Sequence, residues 1–237
     1  MAFGVSDYRL FRVFKMSEAK KTRDEYLLEL RQTVDKLKVH LKLPDFVYSD
    51  KEQDKVILHF LGRGVQIGDA CYRVADLWTP IEVLSRVLCE DFLRMFWIMQ
   101  SPENAAEYTK AATSGVVKAA RVHLTRGRAM LRRKSTGEDV TATVLPEFSK
   151  LIVKEKTVEK MAIASGLGKL YDIAYRFPSL EVHGNTYRRR TDDEKGLLAA
   201  FPAIIAFLEA EILITDNRAT TAGEVLRHMR IEKLAGK

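Results

Sequence analysis

Apolar residues in this chain recur at steps of three and four, and they nowhere alternate with polar ones over a strand-length run. The first spacing lines one stripe of a helix and the second would line one face of a sheet, so the pattern predicts an all-α fold. From Ser17 to about Leu43, the positions Leu27, Leu30, Val34, Leu37 and Leu41 mark an amphipathic helix that Pro44 stops. A second seam runs through Ile57, Phe60, Gly64, Ile67, Cys71, Val74 and Trp78, and its glycines predict close approach by another helix. Thr79-Pro80-Ile81-Glu82 joins an N-cap, a proline at the first helical position and a capping-box glutamate, so a third helix should run from there to about Gln100. Ser101-Pro102-Glu103 starts a fourth, with Ala105, Tyr108, Ala112, Gly115, Ala119 and Val122 as a small-residue packing face that pairs it with the third.

Residues 127–143 are polar, charged and aperiodic, and predict a mobile basic loop. A helix over about Pro146–Ala164 should follow, broken at Gly166 and Gly168. Leu170, Ile173, Phe177 and Leu180 then form another seam, Thr191-Asp192-Asp193-Glu194 a second capping box before a late apolar helix, and Thr221 with Glu224 the opening of a last short one. A bundle of six or seven helices accommodates these segments. Residues 1–50 form an N-terminal arm and amphipathic helix, and residues 51–237 the main helical domain.

With 46% apolar and 30% charged residues, the chain matches neither a disordered nor a membrane protein. Its longest apolar run, Leu197 to Leu208, contains Pro202 and is shorter than the roughly 20 residues of a membrane span, so it reads as a buried core helix. The first residues mix Asp7, Arg9 and Arg12 with Phe3, Phe11 and Phe14, unlike a signal peptide, which predicts a cytoplasmic protein. Cys71 and Cys89 lack metal-ligand spacing and read as reduced core thiols, with no metal or cofactor implied. A net charge of +7 favours an anionic partner. The basic residues cluster at Lys20, Lys21 and Arg23, at Arg126, Arg128, Arg132, Arg133 and Lys134, and at Arg188, Arg189 and Arg190.

The segment richest in chemistry is Leu170 to Gly184. Seven residues make two helical turns with only about 20° of drift, so Arg176 and His183 would share a face, joined by Asp172 and Ser179. That polar row borders the apolar seam, as a cleft or a dimer seam would, and it equally fits a solvated helix face. A histidine titrating near neutrality moves protons and an arginine holds a phosphate, a pairing suited to metal-free RNA cleavage. Arg188, Arg189 and Arg190 come directly after, where they could guide an RNA backbone or simply form a solvated loop. Arg86 and Glu90, four apart on the third helix, read as an internal ion pair.

The Arg176-to-His183 pair, with six residues between, resembles the Arg-x4-6-His motif of the HEPN superfamily, especially a helical branch without assigned function. In that branch the motif comes after a helix bearing Arg and Glu, here Arg86 and Glu90, and the resemblance spans roughly Val56 to Leu213. It implies a HEPN-like helical bundle, a homodimer, and metal-independent endoribonuclease activity from a composite site. Arg176 would bind the phosphate and His183 act as acid and base, in a protein of toxin or antiviral-defence type. Phe177 and Pro178 depart from the pattern of active members. A non-catalytic RNA- or nucleotide-binding protein, or a helical partner subunit of a defence system, therefore stays open beside the enzyme. Because the first fifteen residues lie outside every apolar seam, their removal is expected to leave the melting temperature nearly unchanged in a thermal melt.

Overall fold

Thr22 opens the first helix, accepting the Glu25 N–H at 3.4 Å while the Glu25 carboxylate accepts the Thr22 N–H at 2.6 Å. This reciprocal cap satisfies two of the N–H groups that a helix start leaves unpaired. The structure is a computed structural model that describes residues 21–43, 49–176, 193–216 and 221–229. The expected start at Ser17 lies outside the described residues. The helices are α1 (Arg23–His40), α2 (Glu52–Arg73), α3 (Trp78–Met99), α4 (Pro102–Thr125), α5 (Thr141–Lys150), α6 (Val158–Ala164), α7 (Gly168–Tyr171), α8 (Asp193–Thr215) and α9 (Ala222–His228). A π-helical turn, Asp172–Arg176, continues α7. Well over half of the described residues are helical, and the only strand-like pairing among them is an isolated bridge.

Four helices make the core. α8 lies along α1 and α3, α2 closes the ring between them, and α6 covers α3. α8 is buried nearly all round through Phe201, Ile204, Phe207, Leu208 and Ile214, as expected for the longest apolar run. The Phe207 ring meets Phe92 of α3 at 5.5 Å, and Phe201 stacks on Tyr26 of α1 at 6.3 Å. α1 is one wall of the ring: Leu30, Val34 and Leu37 are buried in the common core. His40 ties the end of α1 to the end of α8, with Nε2 2.7 Å from Asp216 and Nδ1 2.9 Å from the Lys36 carbonyl.

The glycines of α2 act as the sequence suggested. A Cβ on Gly64 would run into the Glu211 carboxyl of α8, and one on Gly68 into Val34 of α1. Gly166, at φ +76°, ends α6 in a Schellman motif, with Leu167 N–H bonded to Ala162 O at 2.7 Å and Gly166 N–H to Ile163 O at 3.1 Å. α9 begins at Thr221 with the expected capping box.

Three expectations change. Nine α-helices occur among the described residues rather than six or seven, in part because the helix expected over 146–164 is two. α5 stops at Lys150, and an extended stretch leads to α6, whose N-cap Thr157 accepts the Lys160 N–H at 3.3 Å. That stretch is fixed by Ser114 of α4, which takes the Val153 N–H at 2.9 Å and donates to the Val153 carbonyl at 3.1 Å. Of the small-residue face of α4, Ala105 is buried and Tyr108 packs on the core as expected, but Ala112, Gly115, Ala119 and Val122 are exposed, and Ala111, Ser114, Val117 and Leu124 are buried instead. An alanine-rich helix has a weak stripe, and a buried serine bonded to backbone is invisible to an apolar count. Finally, residues 127–140 carry a bonded turn and α5 starts within the expected loop, at Thr141. Gly137, at φ +70°, donates to Arg133 O at 2.8 Å, and Val140 donates to Leu131 O at 2.8 Å.

Gly68→Ala is expected to destabilise the protein by about 1–3 kcal/mol, because the added methyl forces α1 and α2 apart. Val34→Ala in the same chain should recover part of this. The measurement is the urea midpoint of the two single variants and the double, which should cost less than the sum.

Candidate functional site

The expected site falls at the edge of the described residues. Asp172 opens the π-turn and Arg176 closes it, whereas Ser179, His183, Arg188, Arg189 and Arg190 lie outside the described residues. Turns of this π-helical kind recur at functional sites, where they re-aim the side chains beyond them.

Around the turn, Tyr171 and Tyr175 stack at 5.1 Å, and the Arg86 guanidinium of α3 lies 5.1 Å over the Tyr175 ring. Its Nη2 donates to the Tyr175 hydroxyl at 3.4 Å, while its Nε is buried without a hydrogen-bond partner among the described residues. The expected Arg86–Glu90 ion pair is replaced: Glu90 pairs with Arg94 at 2.5 Å, and Arg86 turns to the π-turn. Both spacings are one helical turn, so spacing alone could not choose between them. The structure therefore joins the arginine-bearing helix to the segment that leads into Arg176.

A second polar group sits inside the bundle, and the apolar seams gave no sign of it. Asp91 of α3 is almost fully buried and accepts from Arg63 Nε of α2 at 2.7 Å. Arg94 bridges Glu90 and, at 3.9 Å, Glu155. Deeper still, Glu211 of α8 is completely buried against Gly64, and neither carboxyl oxygen has a hydrogen-bond partner among the described residues. Burial, and then the nearby Asp91 carboxylate, hold the Glu211 carboxyl protonated well above the ordinary carboxylate range. Burial also raises Asp91, partly offset by Arg63. Burial pushes the Cys71 thiol up to about 12 and raises Cys89 as well, so both free cysteines are unreactive core thiols. The one sequence signal for this group was Glu211 within an apolar helix, opposite a glycine seam.

Among the described residues, no three His, Cys, Asp or Glu side chains gather as metal ligands, and no helix is long and apolar enough to cross a membrane.

Glu211 sets a pH dependence with a definite sign. The unfolded chain loses this proton in the ordinary carboxylate range while the folded chain keeps it, so the folded state binds more protons as pH rises above that range. Its stabilisation, complete at low pH, is lost as pH rises toward the raised folded value, with a slope approaching about 1.4 kcal/mol per pH unit. Urea midpoints measured across pH should show this fall in the wild type and a flatter profile in Glu211→Gln. Equal slopes in the two proteins would contradict it.

No curated protein and no solved structure matches the chain. A family model described as "Family of unknown function (DUF5677)" matches residues 54–196, more than half of the sequence, from α2 through the π-turn to the first residues of α8. The chain is a member of the DUF5677 family.

Proposed function

We propose that this protein acts on RNA as a metal-independent endoribonuclease of HEPN type, with Arg176 and His183 joined in a composite site across a cytoplasmic homodimer. The observation that carries the reading is the contact of Arg86 with Tyr175. It brings the arginine-bearing helix named by the family resemblance against Tyr175, the residue before Arg176. In the proposed reaction His183 takes the proton of a ribose 2′-hydroxyl, whose oxygen attacks the adjacent phosphorus. The P–O5′ bond breaks, and the partner copy's imidazole returns a proton to the 5′-oxygen, leaving a 2′,3′-cyclic phosphate and a 5′-hydroxyl. Arg176 offsets charge developing on the phosphate oxygens. Arg188, Arg189 and Arg190 lead the RNA backbone toward this site, and Asp172 and Ser179 support it. Toxin or antiviral-defence activity, with a partner protein of the same system, is the setting this chemistry fits.

Phe177 and Pro178 favour a second reading, in which the protein binds RNA or a nucleotide without cutting it. Purified protein is expected to cleave single-stranded RNA in the presence of EDTA. His183→Ala and Arg176→Ala should each lower the rate by at least ~10²–10⁴-fold. Arg176→Lys should fail as well, because an ammonium lacks the planar fork that grips phosphate. Cleavage that survives His183→Ala, or that requires magnesium, would refute the mechanism, and RNA binding by an inactive wild type would select the second reading.

A further inference from the structure

We infer that the distal half of α4, the 127–140 turn and α5 form an arm that grips the phosphate backbone of base-paired RNA, apart from the Arg176 site. Residues 118–150 contain eight Lys and Arg against three Asp and Glu, so this segment holds +5 of the chain's +7 net charge. Arg121, Arg126, Arg128 and Lys134 are exposed there and enter no ion pair or side-chain hydrogen bond among the described residues. Beside them, Arg133 pairs with Glu138 and Lys150 with Glu147 within the arm. The arm has its own small core: Val117 and Leu124 of α4 are buried outside the main apolar cluster, and α5 rests on α4. A surface so charged, carried on a separately packed unit, suits a polyanion whose condensed counterions it releases.

The arm's chemistry also selects the polyanion. Residues 118–150 carry one aromatic ring, the half-buried Phe148 of α5, so the arm lacks the run of exposed rings on which proteins stack successive unpaired bases. Its free groups include three guanidiniums, which fit phosphate oxygens in pairs. The turn ends in Ser135, Thr136 and Gly137 and then Glu138 and Asp139, a tip that carries no apolar wedge and that an anionic bilayer would repel. What remains is a duplex held by its backbone, read by shape and charge rather than by sequence. Only the choice of RNA over DNA rests on the function proposed above.

The test uses the full chain, fluorescence anisotropy over a range of salt, and three probes: a short RNA duplex, an unpaired strand of the same length, and phosphatidylserine vesicles. The duplex is expected to bind best, with log K falling linearly in log salt. Arg126→Ser, Arg128→Ser and Lys134→Ser together should weaken duplex binding by ~10-fold or more and lower the salt slope by about two to three. Arg126→Lys with Arg128→Lys should keep the slope, and His183→Ala should leave the affinity unchanged. Should the triple variant misfold in a thermal melt, Arg121→Gln and Arg128→Gln, made singly, should each lower the slope by about one. Unchanged duplex affinity in the folded arm variants, tighter binding of the unpaired strand, or arm-dependent binding of vesicles without binding of duplex would each overturn the inference. Arm-dependent duplex binding by a protein that never cleaves RNA would support the arm and refute the ribonuclease alone. Cleavage with arm-independent binding would do the reverse.

Discussion

The bundle depends on how closely α2 approaches its neighbours. Without side chains at Gly64 and Gly68, α8 can place Glu211, and α1 can place Val34, in space that a β-carbon would occupy. That approach lets α8 be buried on almost every side. Its phenylalanines then become the common contact of α1 and α3, and the four helices share one apolar interior. Glycine costs helix stability, about 1 kcal/mol relative to alanine at each interior position. Here the loss is offset by dispersion and burial along two interfaces at once.

The same close approach seals a carboxyl away from water. Glu211 is excluded from solvent with no partner for either oxygen among the described residues, and stays uncharged because burial and Asp91 both oppose its ionisation. Asp91, one helix away, keeps a guanidinium partner that reaches solvent. Two carboxyls in one interior thus take opposite solutions, neutralisation and pairing, according to whether a cation can reach them. The family match begins in α2 and ends as α8 begins, so it takes in Gly64 and Asp91 but leaves out Glu211 and the α1 wall.

Charge is distributed against the core. The arm from the distal part of α4 to α5 exposes Arg121, Arg126, Arg128 and Lys134 and packs on a separate small core. The exposed residues of α4, Ala112, Gly115, Ala119 and Val122, lie on the other side of the helix from Ala111, Ser114 and Val117, which are buried. The π-turn lies later in the chain than the arm, after α6 and α7, and is held to α3 by Arg86 through Tyr175.

Sequence periodicity sufficed for the α class, for the cores of α2, α3 and α8, for the glycine contacts of α2 and for the cap of α9, because each stems from local geometry: spacing, a missing β-carbon or a cap three residues from its partner. Of the candidate site, the order of residues was legible, including Arg86 before Asp172 and Arg176, but their contacts were not. Which of two equally spaced acids an arginine meets, whether α5 and α6 are one helix or two, and which side of α4 is wet were decided by groups far apart in the chain: Tyr175 against Arg86, and Val153 against the buried Ser114 of α4. The fate of Glu211 was decided in the same way. A glutamate in an apolar helix can face water, a cation or a sealed interior, and only the packing of α2 against α8 removed the first two, since a carboxyl's charge is set by the solvent and partners left to it.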